Sequence, residues 1–222
     1  MVLQNSRYAA PDRLMASVSY KTPFKLPTLI SVFYEGYIPG GYSFTYANDM
    51  NGDGINTDLI YIPKEAAVDA GVAAPDKVLF ASEQDKNYVM DFIAQDKYLS
   101  SHMGSYAEAY SAFAPMVHKF DLRVTQDLRI RVAGTTQTIQ LSADLMNFTN
   151  LMKDTWGVSS ILDDSCENGQ IMKFDTVNAA GQPVFKANVA PDKNGVAPHT
   201  WTLSQSRGQC WYVQLGLKYM FN

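Results

Sequence analysis

The sequence is poor in the residues that build disulfide scaffolds and metal sites. It has two cysteines, Cys166 and Cys210, in 222 residues. That is too few for a disulfide framework, and their spacing matches no zinc pattern. Three histidines, His102, His118 and His199, show neither HExxH nor HxH spacing, so metal catalysis has no support. No P-loop, GxGxxG, GxSxG or SxxK motif occurs, and no Ser/His/Asp or paired-carboxylate constellation stands out, so the chain reads as not an enzyme. Eighteen Lys and Arg against 22 Asp and Glu leave a formal charge of −4. Without a basic field to release counterions from a phosphate backbone, nucleic acid is excluded as a partner. No uncharged apolar run approaches the ~18 residues of a membrane-spanning helix. The opening Met1-Val2-Leu3-Gln4-Asn5-Ser6-Arg7 lacks the positive and apolar regions of a secretory signal. It suits a cytosolic protein or one whose leader lies upstream.

What the sequence does hold is alternation. At 46% apolar and 18% charged it is no disordered chain, and 13 Tyr with 11 Phe make it rich in aromatics. From Cys210 to Asn222 one face reads Trp211, Val213, Leu215, Leu217, Tyr219, Phe221. The other reads Tyr212, Gln214, Gly216, Lys218, Met220, Asn222. A period of two is that of a strand. From His118 to Ile130, Phe120, Leu122, Val124, Leu128 and Ile130 share one side, broken only by Gln126. Lys119, Asp121, Arg123, Thr125, Asp127 and Arg129 share the other. A third strand, Thr136–Asn150, sets Ile139, Leu141, Ala143 and Leu145 against Gln140, Ser142 and Asp144, joined to the previous one by the turn Arg131–Thr135. Upstream, Arg13–Tyr20 alternates Leu14, Ala16, Val18, Tyr20 with Met15, Ser17, Ser19 and ends where Pro23 and Pro27 enforce a reversal. A strand from Thr28 through Tyr37, running on to Tyr46, makes five.

The connections alternate in length. Two are short turns, and two are long excursions, Ala47–Val117 and Leu151–Gln209. Tight turns on one side and large loops on the other mark an antiparallel transmembrane β-barrel, with periplasmic turns and extracellular loops. Strands of roughly 11 to 13 residues, at ~3.3 Å per residue and ~40° tilt, reach on the order of 25–30 Å and span the apolar band. A soluble β-sandwich shows the same alternation, but its strands average about five or six residues. Within the first excursion, Ser82 with Asp85 opens a helix to about Ser100 carrying Val89, Phe92, Ile93 and Leu99. Within the second, Ile171–Ala187 reads as a surface hairpin.

Asp49, Asn51 and Asp53 followed by Gly54 match the first half of a calcium loop, with Asp58 as a late carboxylate, but Ile60 occupies the position where that loop ends in glutamate. The alternative is an Asn/Gly/Asp-rich turn opening the loop. The polar-side charges, Lys119, Asp121, Arg123, Asp127 and Arg129, either line a transport path or pair among themselves and with a plug. Asn147-Phe148-Thr149 is a glycosylation sequon by letter only.

The run Asn48-Asp49-Met50-Asn51-Gly52-Asp53-Gly54-Ile55-Asn56-Thr57-Asp58-Leu59-Ile60-Tyr61-Ile62-Pro63 resembles the NDxNGDGxxxDLIYIP segment of TonB-dependent outer-membrane receptors of the Oar-like, SusC-related branch found in Bacteroidetes. Asp91–Leu99 with Gly104, His118–Asp127, Asp144–Leu151 and Gly216–Asn222 agree with that family in the same order. The resemblance covers nearly the whole chain and about the last quarter of such a receptor. Ser105–Pro115 departs from the family's Arg/Asn-rich stretch, so what is inherited is the barrel and not a ligand.

The resemblance implies the C-terminal barrel part of an active nutrient importer in the outer membrane of a Gram-negative bacterium. The complete receptor is a barrel of about 22 strands around an N-terminal plug. Its implied partners are outer-membrane lipid, the rest of the barrel and plug, the TonB complex acting through the N-terminal part, and the barrel-assembly machinery, which reads the segment ending in Phe221. A surface lipoprotein is a further possible partner. Asn222 then lies at the periplasmic end of the closing strand. In that topology Cys166 and Cys210 both fall on the oxidising, extracellular side, where they are either bridged or two free thiols. The competing function is a small free-standing outer-membrane barrel with an adhesive or structural role, which needs about eight spanning strands.

Overall fold

A computed structural model describes residues 3–9 and 11–221. In chain order its elements are β1 (Arg13–Lys21), β2 (Thr28–Tyr37), β3 (Gly41–Tyr42), β4 (Ala66–Val68), β5 (Val78–Phe80), α1 (Glu83–Gln95), α2 (Lys97–Ser101), β6 (Ala112–Phe113), β7 (Val117–Val132) and β8 (Thr135–Met146). After these come α3 (Phe148–Met152), β9 (Ser160–Leu162), β10 (Met172–Val177), β11 (Pro183–Ala187), β12 (Trp201–Leu203) and β13 (Tyr212–Met220). With 40% strand and 14% helix the protein is mostly β, as the alternation predicts. No helix among the described residues is long and apolar enough to cross a membrane. The chain divides into two compact units.

The sheet unit comprises Ala10–Pro39, Pro115–Ser160 and Leu203–Asn222. Its five strands run in the order β1-β2-β7-β8-β13, every neighbouring pair antiparallel. These are the five strands expected, with shifted ends. β2 stops at Tyr37 and does not run on to Tyr46, because Pro39 has no N–H to continue the ladder and Gly40 takes a positive φ of 155°. Gly41 and Tyr42 pair instead with Phe113 and Ala112. β8 ends at Met146, short of the expected Asn150. Asn147 turns into the left-handed region at φ 50°, which asparagine adopts at lower cost than most residues, and α3 begins. The buried Asn147 holds this exit, its Nδ2 donating to Gly157 O at 3.0 Å and Gln209 O at 2.7 Å, and its N–H to Asp121 Oδ1 at 2.7 Å.

The hairpin turn expected over Arg131–Thr135 tightens to Ala133 and Gly134, since Val132 pairs directly with Thr135. Both turn residues have positive φ, 52° and 84°, the geometry of a two-residue turn whose twist matches its strands. The other short turn closes through Thr22 N–H to Thr28 O at 2.9 Å and Thr28 N–H to Thr22 Oγ1 at 2.8 Å. The expected position of Asn222 lies outside the described residues.

The loop unit comprises Met1–Ala9, Gly40–Ala114 and Ile161–Thr202. Here the two long excursions fold together. β10 and β11 form the expected hairpin, but β11 then pairs in parallel with β5, and β5 with β4, giving a mixed sheet β10-β11-β5-β4 drawn from both excursions. One core of Phe44, Tyr46, Ile60, Ile62, Phe80, Phe92, Ile93, Leu99, Ile171, Met172 and Phe185 lies beneath it. Tyr46 stacks on Phe185 with centroids 5.3 Å apart.

The single helix expected from Ser82 to about Ser100 is two. Ser82 caps α1 by accepting the Asp85 N–H at 3.1 Å. At Asp96 the backbone leaves the helix, and its carboxylate caps α2 through the Leu99 N–H at 2.8 Å and accepts Thr200 Oγ1 at 2.6 Å. Asp96 is only 4% exposed. A carboxylate so buried is kept by these charge-assisted bonds, and they set the break in the helix.

Candidate functional site

The sheet's register decides what each face presents. Side chains on one strand alternate between faces, so a two-faced sheet forms only if every pairing matches parity. Here it does. Val18 lies opposite Val32, Val32 opposite Leu122, Leu122 opposite Leu145 and Leu145 opposite Val213. A neighbouring row runs Tyr20, Ile30, Val124, Ala143, Leu215. On the opposite face Arg123 pairs with Asp144, Thr125 with Ser142 and Asp127 with Gln140, and β13 adds Gln214 and Lys218.

The apolar face is bare. Leu215 is 78% exposed, Leu217 74% and Val18 73%, and Leu14, Val213 and Tyr219 are also exposed. The phase of the alternation could equally have served a soluble core; the fold instead leaves Trp211 and Leu215 uncovered, and Phe120 half-buried. Aromatic rings bracket the face. Tyr20, Tyr219 and Phe221 lie at the short-turn end, Tyr219 and Phe221 with centroids 5.9 Å apart. At the long-connection end Tyr34 packs on Phe120 at 4.8 Å and Phe120 on Phe148 at 6.0 Å, while Tyr34 Oη and His118 Nδ1 are 2.8 Å apart. Phe148 falls within the expected strand Thr136–Asn150, whose alternation would put it on the polar side; α3 instead brings it against Phe120. The sheet is open: among the described residues β1 and β13 each pair on one side only.

On the polar face the charges are largely spoken for. Arg123 Nε lies 3.1 Å from Asp144 Oδ1, and Gln140 Nε2 donates to Asp127 Oδ1 at 2.8 Å. Asp121 accepts the Asn147 N–H, and Lys119 Nζ sits 5.8 Å from the Tyr37 ring centroid. The partners of Lys119, Asp121, Arg123 and Asp127 are thus the Tyr37 ring, Asn147, Asp144 and Gln140, and none of these four charges pairs with another of them.

Asp49, Asn51, Asp53 and Asp58 lie in the loop unit and are brought together as a turn network. Asp49 accepts the Gly52 N–H at 2.6 Å and the Gly54 N–H at 2.7 Å, with both glycines at positive φ. Asn51 Nδ2 donates to Asp53 Oδ2 at 3.2 Å and Asp58 Oδ1 at 2.9 Å, while Asp58 Oδ2 accepts the Met50 N–H at 3.1 Å. The Gly54 amide above all, with those of Gly52, Asp53 and Asn51, holds the Asp49 carboxyl below its ordinary range. Among the described residues no three His, Cys, Asp or Glu side chains converge as a metal would require, these included. The carboxylates of Asp49 and Asp58 accept the chain's own amides, as in an Asn/Gly/Asp-rich turn. Asn48 ties this turn to β10 through paired bonds with the Phe174 backbone, 2.9 and 2.8 Å.

Both cysteines are free thiols, so the bridged alternative is not realised. Cys166 points into the loop-unit core and donates to Asp163 O at 3.0 Å, and burial pushes its thiol above the ordinary range. Cys210 is exposed at the root of β13. The histidines are separate: His102 stacks on Tyr98 at 4.3 Å, His118 bonds Tyr34, and His199 Nε2 lies 3.3 Å from Asp163 Oδ2. Comparison with protein-family models, with curated proteins and with solved structures gives no match.

Proposed function

We propose that this chain is the C-terminal wall segment of a TonB-dependent importer in the outer membrane of a Gram-negative bacterium. The observation that carries the membrane part is an apolar row continuous in register across five long strands, exposed and edged by aromatics. A sheet of this kind in water would hide that face; in a bilayer it faces lipid, and the opposite face lines an enclosed interior. The open edges then need neighbours, because unpaired N–H and C=O groups in hydrocarbon cost several kcal/mol each. Further barrel strands supply them, β1 and β13 being the seams. The importer part rests on the family resemblance of the Asn48–Pro63 run and its companions. In such a protein the work is gated passage, with the loop unit outside the cell and the plug, TonB complex and assembly machinery as partners.

The free-standing barrel lacks the strands for closure. Outside the main sheet no described strand exceeds six residues, whereas crossing takes about 9–11. The test is fractionation of cells expressing the complete gene. A heat-modifiable band in the outer membrane, from a gene that also encodes an N-terminal plug, supports the proposal. Recovery in the soluble fraction with unshifted mobility overturns it.

A further inference from the structure

At the long-connection end of the apolar face the sheet unit has a hollow of about 360 Å³. Met116, His118 and Phe120 form its floor on the strand side, and Thr149, Trp156 and Val158 form its wall on the segment after α3. Floor residues Met116, His118 and Phe120 have the parity of the apolar face, so the hollow continues that face beyond its aromatic row. Of the His118 ring, Nδ1 is engaged by Tyr34 Oη at 2.8 Å, and Met116 and Phe120 supply the apolar part of the floor. The wall segment is built for an interface. Leu151, Met152 and Trp156 are exposed, and Lys153 Nζ sits 5.9 Å from the Trp156 ring centroid. An exposed aliphatic pair, an indole and an ammonium within six residues match the pattern of chains that lie at a lipid–water boundary.

We propose that this hollow holds an acyl chain of an anionic, phosphate-bearing lipid, with Lys153 pairing the phosphate at its mouth. The proposal rests on the reading of the sheet's apolar face as lipid-facing and names the lipid that one end of it selects. The shape and lining suit a methylene chain, and a lysine held over an indole gives a phosphate a charged partner outside the apolar floor. Asp154 follows Lys153, so the segment has no net charge, and the pairing is local and not a long-range attraction.

The test uses the complete protein in phosphatidylcholine vesicles containing phosphatidylglycerol. The photocrosslinking variants are Val158→p-benzoylphenylalanine, on the hollow's wall with the Trp156 indole kept, and, separately, Leu217→p-benzoylphenylalanine, with lipid adducts read by mass spectrometry of the labelled peptides. The hollow position is expected to give adducts enriched in phosphatidylglycerol by about fivefold, the worth of one basic residue near an anionic surface. The added change Lys153→Gln should abolish that enrichment. Leu217, in the middle of the apolar face, should give adducts without headgroup preference. Adducts at Leu217 but none, or none selective, at Val158 overturn this proposal and leave the lipid-facing reading standing. Enrichment that survives Lys153→Gln also overturns it. Adducts at neither position overturn the lipid-facing reading itself.

Discussion

Adjacent residues on β13 give the sharpest test of the two faces. Leu215 and Gln214 share one strand and differ only in the side they point to. Leu215 lies opposite Ala143 in the apolar row, and Gln214 lies opposite Asp144, itself paired with Arg123. If the apolar face meets hydrocarbon, Leu215→Arg places a guanidinium among acyl chains at a cost of about 2–4 kcal/mol near the midplane. At about 1.4 kcal/mol per tenfold, that is roughly a thirty- to seven-hundred-fold loss in the folding equilibrium. Gln214→Arg puts the same charge on the polar face beside Asp144, where a partly exposed pair is worth about 0–1 kcal/mol in its favour. In water the gap closes: Leu215 is 78% exposed, and exchanging an exposed leucine for arginine changes stability by no more than about 0.5 kcal/mol. The measurement is denaturant unfolding of the complete protein in lipid vesicles, followed by loss of the heat-modifiable form. Equal stability of the two variants, or a more stable Leu215→Arg, refutes the assignment of faces.

Phe185→Ala empties the stack on Tyr46 and should cost the loop unit about 3–5 kcal/mol, seen as protease cleavage within 40–114 and 161–202 while the sheet keeps its heat-modifiable mobility. Alkylation of the native protein should label the Cys210 peptide and spare the Cys166 peptide, with both labelled in denaturant; absence of label on Cys210 would mean that it is bridged after all. The Asp49 carboxyl is depressed in the folded protein, so its stabilisation of the turn is present above the ordinary aspartate value and lost as pH falls through the depressed one. Amide protection at Gly52 and Gly54 should therefore drop on acidification, and Asp49→Asn should remove that pH dependence.

The strands were legible because their period is a local property. Leu122, Val124 and Leu128 declare a face whatever lies beside them, and the strand centres follow directly. Their ends were less legible, because ends depend on single backbone events: the missing N–H of Pro39, the left-handed turn at Asn147, the positive φ of Ala133. The helix break at Asp96 had another cause. Its carboxylate turns to Thr200, more than a hundred residues on, and no window of sequence contains both.

The excursions were the larger omission. Read singly, Ala47–Val117 and Leu151–Gln209 are loops with a helix and a hairpin. Their joint core exists only through contacts such as Tyr46 on Phe185 and the parallel pairing of Val184 with Leu79. The Asp49 turn shows the same limit at short range, since residue types suited to a cation also suit a network that satisfies itself. The spacing alone does not show that the amides of Gly52 and Gly54 turn to the Asp49 carboxylate.

From its amino acids alone, then, this chain was bound to form long two-faced strands, because a side chain's neighbours two residues away are set by covalent geometry. Which strand lies beside which, that grease meets grease across all five, that the greasy side is left uncovered, and that two distant excursions share one interior were decided in three dimensions. Pairing and burial join residues far apart in the chain, and the free energy that selects those partners belongs to the folded whole.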